Sequence, residues 1–376
     1  MTTTSRTDVG TVADLRSSAS RLTGLDDFGS GDDYLDGLAV LLRSYAEEAA
    51  LTPAGSKRTR GLLRGALASR LIAEAAWRQF PEHAAARLPR PVFVTGLPRT
   101  GTTALHRLLT ADPAHQGPEL WLTEVPQPRP PRDTWLSHPI FVALQEAYRG
   151  AGLDGVHHMG PDQVEECWRL LCQSMTSVSF ECTAHIPSYS AWLAQHDWTA
   201  AYRRHRRNLQ LIGLHDQDRR WILKNPSHLF ALDALLTVYP DAVVIQTHRD
   251  PRTAIASVCS LNARASAGWS TVFSGPVVGK AQLSLWSRGL RRFRADRARH
   301  DPARFIDVRY EDFVAAPLRT VETIYDRLGA RLTGPARSAM TALHTGTMRG
   351  PARPAHTYDL ASYGLTTADV ESAFEQ

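Results

Sequence analysis

The sequence predicts an α/β fold: a P-loop-type parallel sheet flanked by helices, with a helical N-terminal extension. Short apolar runs at 91–95, 221–223, 242–247 and 304–308 have the make-up of buried strands. Stretches of helical period separate them, and that alternation builds parallel sheets. Each run also closes on a polar motif, and ligands of such sheets sit at the carboxyl ends of the strands.

From about residue 8 to 87 the pattern is helical, with Leu35, Leu38, Leu42 and Tyr45 on one face, then Leu62, Leu63, Ala66 and Leu67. Residues 1–88 are therefore expected to form a helical extension packed on a core of residues 89–376, a single domain overall. The run at 91–95 opens the sheet and leads through Gly-Leu-Pro-Arg-Thr-Gly-Thr-Thr (96–103) into a helix over 102–110, which stops before Asp112-Pro113. The Pro-rich stretch 126–139 is too irregular for sheet and reads equally as a lid over a pocket or as a surface connection. Helical period returns over 161–180, 188–195 and 199–213. The strand at 221–223 runs into Lys224-Asn225-Pro226-Ser227-His228 and a helix to 239. The strand at 242–247 runs into His248-Arg249-Asp250-Pro251 and a helix to about 266. A last strand at 304–308 precedes Tyr310-Glu311-Asp312, and no internal repeat is visible.

The chain has 376 residues, enough for a large core, and its 43% hydrophobic and 22% charged shares are those of a globular rather than a disordered protein. Residues 1–10 carry no apolar core of a signal peptide, and no run reaches the about 18 apolar residues of a membrane span. The expected compartment is the cytoplasm, with no transmembrane segment. Cys167, Cys172, Cys182 and Cys259 lack paired Cys-x-x-Cys spacing, so buried free thiols are expected and no metal site. A net charge of +5 suits an anionic partner, although an Arg-rich composition alone produces it. Arg-Arg-His-Arg-Arg at 203–207 reads as a solvated helix face rather than a nucleic-acid or membrane patch, since only Tyr202 adjoins it. Aromatic residues between the loop and Lys224, among them Trp121, Trp135 and Tyr189, are expected mostly in the core.

Three motifs carry chemistry. In Gly-x4-Gly-Lys-Ser/Thr loops, backbone N–H groups converge on an anion at a helix start and the lysine reaches the outer phosphates. Here Thr102 stands in the lysine's place and Arg99 supplies a cation inside the loop, so one anion is cradled without the usual grip on a γ-phosphate. Lys224 follows a strand directly, where an ammonium can neutralise charge on a leaving phosphate. His228 stands four residues on, as a candidate general base or a capping residue. Arg249 follows another strand, with Ser257 eight residues later, a fork and a hydroxyl suited to a second phosphate.

Gly-Leu-Pro-Arg-Thr-Gly-Thr-Thr, Leu-Lys-Asn-Pro-Ser-His and Thr-His-Arg-Asp-Pro with Ser257 together resemble the sulfotransferases that use 3′-phosphoadenosine 5′-phosphosulfate (PAPS). The likeness covers roughly residues 90–330 and is to the bacterial branch related to the tyrosylprotein sulfotransferases. It implies in-line transfer of a sulfuryl group to a hydroxyl or amine of a small-molecule, lipid or carbohydrate acceptor, with no metal, and allows a homodimer. It implies Arg99, Thr100, Gly101, Thr102 and Thr103 at the 5′-phosphosulfate, and Arg249 and Ser257 at the 3′-phosphate. Arg99 and Lys224 would then stabilise charge on the transferring group. Three residues compete for the base. They are His228, Glu119 (twenty after Arg99, as in the tyrosylprotein enzymes) and Glu166. Tyr310 stands either on the adenosine side or in the core, and Arg353 and His356 near the C-terminus are weaker candidates at the 3′-phosphate. A kinase or nucleotide triphosphatase is the alternative enzyme, disfavoured by Thr102 and by the lack of a strand ending in a metal-binding aspartate. A non-catalytic nucleotide-binding protein is the other alternative.

Overall fold

The computed structural model describes residues 8–31, 33–150, 160–348 and 359–375. Arg353 and His356 therefore lie outside the described residues.

Three helices come first: α1 (Val12–Thr23), α2 (Asp33–Glu47) and α3 (Pro53–Gln79). Thr11 starts α1 through a capping box with Asp14, and Thr52 caps α3 ahead of Pro53, whose missing N–H costs nothing at the first helical position. Leu63, Leu67 and Leu71 form the buried stripe of α3.

The sheet follows. β1 (Val92–Gly96) leads into α4 (Thr102–Thr110), then the two-residue β2 (His115–Gln116) and α5 (Leu120–Glu124). Helices α6 (Pro139–Gly150), α7 (Trp168–Cys172), α8 (Pro187–Gln195) and α9 (Thr199–Ile212) precede β3 (Arg220–Lys224). Then come α10 (Leu232–Val238), β4 (Val243–His248), α11 (Pro251–Ala265), α12 (Gly275–Arg297) and β5 (Phe305–Arg309). Helices α13 (Tyr310–Ala315), α14 (Pro317–Leu328), α15 (Gly334–Met348) and α16 (Thr367–Glu375) close the chain.

The five strands are parallel in the order β2-β3-β1-β4-β5. Every residue of β1 is buried because helices cover both faces of the sheet, which is why its sequence is a continuous apolar run rather than an alternation. Register places Val94 beside Lys224 and Gly96 beside Thr247, so the ends of β3 and β4 flank the loop that leaves β1.

Several elements differ from the sequence expectation. The helical period of 161–180 yields only α7 and a short 3-10 turn, Val178–Phe180. Residues 160–166 instead pair their backbone with 117–121: Leu120 N–H donates to the Gln163 carbonyl at 2.9 Å and Glu165 N–H to the Pro118 carbonyl at 2.8 Å. Extended pairing satisfies those groups as a helix would, and periodicity does not register it. The strand and helix patterns also do not single out β2, α12 or the last four helices.

The basic stretch 203–207 is only partly solvated: Arg204 and His205 are buried. Arg204 pairs with Glu74, and the Arg204 and Arg207 guanidinium groups lie 4.6 and 3.8 Å from the centre of the Trp77 ring. Their aromatic partner comes from α3, not from neighbouring sequence. The Pro-rich segment is pinned at Arg129, which donates to Glu119 at 3.1 Å, to Gln116 at 2.7 Å and to the Gly117 carbonyl at 3.1 Å. Trp135 in the same segment is buried 5.3 Å from Trp121. All four cysteines are free, and three of them are buried. No described helix is long and apolar enough to cross a membrane.

Candidate active site

The loop between β1 and α4 needs its glycines both for positive φ and for close contact. Gly96 has φ +146°, and a Cβ there would stand 2.6 Å from the Thr247 carbonyl oxygen. Gly101 has φ +82°, and its Cβ would stand 3.1 Å from the Tyr310 ring. Gly101 is the N-cap of α4 and makes no side-chain cap bond; the first internal bond there runs from Leu105 N–H to the Gly101 carbonyl at 3.0 Å. The first-turn N–H groups of α4 have no partner within the helix, and with the partial positive charge of its N-terminus they can hold an anion.

Lys224 ends β3 on one side of this loop and is 1% exposed. Its ammonium donates to Thr103 Oγ1 at 3.0 Å and pairs with the Glu166 carboxylate. Glu166 is brought there by its neighbours: Cys167 N–H donates to the Lys224 carbonyl at 3.0 Å, and Glu166 N–H donates to Glu165 Oε1 at 2.8 Å. Burial pushes the Glu166 carboxyl above its ordinary value, the Lys224 ammonium opposes that, and the Glu165 charge adds to it.

The other two candidate bases stand differently. His228 sits on a 3-10 turn, Pro226–Phe230, fully buried, with Nδ1 2.7 Å from the Tyr202 hydroxyl and its ring 5.1 Å from that of Phe93. Burial, with His205 and Lys224 nearby, holds its imidazole well below the usual range and therefore neutral. Glu119 is committed to the buried Arg129 guanidinium described above.

On the other side of the loop, Arg249 donates from Nη1 to the Arg99 carbonyl at 2.8 Å and lies 4.1 Å from the centre of the Tyr310 ring. The buried Ser257 on α11 accepts from Arg99 Nε at 3.0 Å. Asp250 caps α11 by accepting from Arg252 N–H at 2.8 Å. The structure thus brings Arg99, Arg249, Ser257 and Tyr310 together, and Lys224 with Thr103. Two contributors escape periodicity: Thr247, whose hydroxyl meets Thr100 Oγ1 at 2.6 Å beneath the loop, and the placement of Glu166 by non-local pairing. Among the described residues no cluster of His, Cys, Asp or Glu is placed to hold a metal ion.

A model of the sulfotransferase family matches residues 91–334, which spans the loop, Lys224 and the Arg249–Ser257 group. The chain belongs to the sulfotransferase family. Among solved structures, sulfotransferase STF1 from Mycobacterium tuberculosis H37Rv is 53% identical, with a TM-score of 0.92 over 98% of this chain and 99% of that one. Sulfotransferase STF9 from Mycobacterium avium is 26% identical, with a TM-score of 0.88 over 100% of this chain and 97% of that one. A relative from Mycobacterium bovis named omega-hydroxy-beta-dihydromenaquinone-9 sulfotransferase Stf3 is 28% identical over 248 residues. That match spans 64% of this sulfotransferase-family chain and 62% of the relative's length.

Proposed function

We propose that this protein transfers a sulfuryl group from PAPS to a hydroxyl of a small-molecule acceptor. One observation carries the reading: the uncapped start of α4, the Lys224–Glu166 pair and the Arg249–Ser257 group converge at the carboxyl ends of β1, β3 and β4. Two anion subsites on opposite sides of one loop fit a nucleotide with two separate phosphate positions, and the side chain Thr102 in place of the triphosphatase lysine fits a donor with no γ-phosphate.

In this reading the loop N–H groups hold the 5′-phosphosulfate, and Glu166 takes the acceptor's proton as the acceptor oxygen bonds to sulfur. The bond from sulfur to the bridging oxygen breaks, and Lys224 neutralises the charge that develops on that oxygen, leaving 3′-phosphoadenosine 5′-phosphate. Glu166 suits the role better than His228 or Glu119 because it stands on the ammonium beside Thr103 at the start of α4, whereas His228 is fully buried with Nδ1 on the Tyr202 hydroxyl and Glu119 is paired with Arg129. Its environment sets two opposing influences, burial raising its proton affinity and Lys224 lowering it. The Stf3 relative is named for an alcohol on a long apolar carrier, which makes hydroxylated lipids the first acceptors to try.

The test is an acceptor screen with PAPS, read as a mass gain of one sulfate with release of 3′-phosphoadenosine 5′-phosphate. The nucleotide is expected to bind without Mg²⁺ and more tightly than ATP. Preference for ATP overturns the proposal.

A further inference from the structure

Three successive main-chain hydrogen bonds fix the chain around Glu166. Before it, Glu165 N–H donates to the Pro118 carbonyl at 2.8 Å, and after it Cys167 N–H donates to the Lys224 carbonyl at 3.0 Å. The N–H of Glu166 itself goes to neither segment: it donates to Glu165 Oε1 at 2.8 Å. A buried N–H left without an acceptor is costly, so the Glu165 side chain completes the hydrogen bonding of this stretch. Glu165 is 7% exposed, whereas the Glu166 side chain keeps 23% of its surface open. Of two consecutive carboxylates, the deeper holds the main chain and the more open one reaches Lys224.

We propose that Glu165 is a positioning residue for the transfer reaction, clamping the Glu166 main chain so that the Glu166 carboxylate meets Lys224; this rests on the functional reading above. A glutamine side chain could accept the same hydrogen bond, so the clamp alone does not call for a charge. The charge acts on the neighbour. Burial raises the Glu166 carboxyl above its ordinary value, Lys224 opposes this, and Glu165 adds to it, because two adjacent carboxylates resist being ionised together. The other titratable groups beside Glu166 are the Cys167 and Cys182 thiols, which burial pushes up and keeps neutral. Lys224 and Glu165 are therefore the charges that set how readily Glu166 takes a proton, and Glu165 also holds it in place.

The experiment labels the glutamates of the full chain isotopically at the amide nitrogen and the side-chain carboxyl carbon. NMR then follows Glu166 in wild type, Glu165→Gln and Glu165→Ala, with Glu166→Gln assigning its signals. Glu165→Gln is expected to move the titration midpoint of the Glu166 carboxyl to lower pH while the Glu166 amide stays protected from hydrogen exchange. Glu165→Ala is expected to move the midpoint the same way and to speed exchange of that amide about 10-fold, the loss of one hydrogen bond. Binding of adenosine 3′,5′-bisphosphate shows that each variant is folded, and Glu165→Gln tests the charge even where Glu165→Ala does not fold. A midpoint unmoved in Glu165→Gln, or an amide as protected in folded Glu165→Ala as in wild type, overturns the inference. Neither readout involves turnover, so the sulfotransferase reading stands or falls separately in the acceptor screen.

Discussion

Lys224, buried at the end of β3, places its ammonium on the Glu166 carboxylate. The same ammonium donates to Thr103 Oγ1 at 3.0 Å, so the Glu166 carboxylate and the start of α4 share one cation. A buried cation paired with a carboxylate is strongly held, because removing either leaves an uncompensated charge.

Glu166→Gln keeps the shape and removes the base. It is expected to lower kcat by about 10²- to 10⁴-fold while the affinity for adenosine 3′,5′-bisphosphate stays within about 3-fold. Steady-state kinetics and calorimetry measure the two separately. A near-normal kcat would remove Glu166 from the mechanism.

The pH dependence follows from the environment of Glu166. A base must be deprotonated to act, and burial raises the pH at which this carboxyl loses its proton. The logarithm of kcat/KM should therefore rise with pH through an acid limb lying above the usual carboxylate range. That limb should vanish in Glu166→Gln. The neutral, buried His228 contributes no limb, since its own proton uptake is displaced to well below its usual range.

Substitutions at the core-bound candidates should act on stability rather than on turnover. Tyr202→Phe strips the buried His228 Nδ1 of its 2.7 Å partner and is expected to cost about 1–3 kcal/mol with kcat little changed. Glu119→Gln removes one of the two carboxylates paired with the buried Arg129 and should likewise lower the denaturation midpoint. Denaturant titration alongside kinetics checks both. A kcat collapse in folded His228→Gln would restore histidine as the base.

Acid should unfold the protein early. Burial holds His106 and His205 down to about 3, from an ordinary value of 6.5, and His228 is also well below it. The unfolded chain takes up protons on these imidazoles near 6.5, which the folded chain refuses. Stability is thus full above that pH and falls as pH drops toward the folded values, by up to about 1.4 kcal/mol per histidine per pH unit. Urea titrations from pH 7 to 4.5 measure the slope, and a flat profile would contradict it.

Gly101→Ala should abolish nucleotide binding with modest loss of stability. A Cβ there meets the Tyr310 ring at 3.1 Å and forces a side chain onto a φ of +82°. Calorimetry with adenosine 3′,5′-bisphosphate reads the loss directly, and retained affinity would show that the loop adapts.

What was legible in the sequence was local. An apolar run, two glycines and a helix start are demands that a few consecutive residues make on their own backbone, so 92–110 was readable as strand, loop and helix. Glu166 is placed only by the fold, because 160–166 borrows its hydrogen bonds from 117–121 and its charge partner from β3. His228 reads from the sequence as a candidate base beside Lys224, and only the fold reveals the Phe93 ring against it and the Tyr202 hydroxyl on its Nδ1. The basic run at 203–207 looked solvated because Trp77 is far from it in the chain.

By itself, the sequence determined the class of the sheet, the glycine loop with Thr102 in the lysine's place, and the three strand-end motifs. Those are consequences of period, glycine and charge, which act over a few residues. The tertiary structure alone decided the partners: Lys224 with Glu166 and Thr103, Arg99 with Ser257, and Glu119 with Arg129. Such pairings depend on which strands lie side by side and on how deeply each charge is removed from water, and both are set by packing between distant segments.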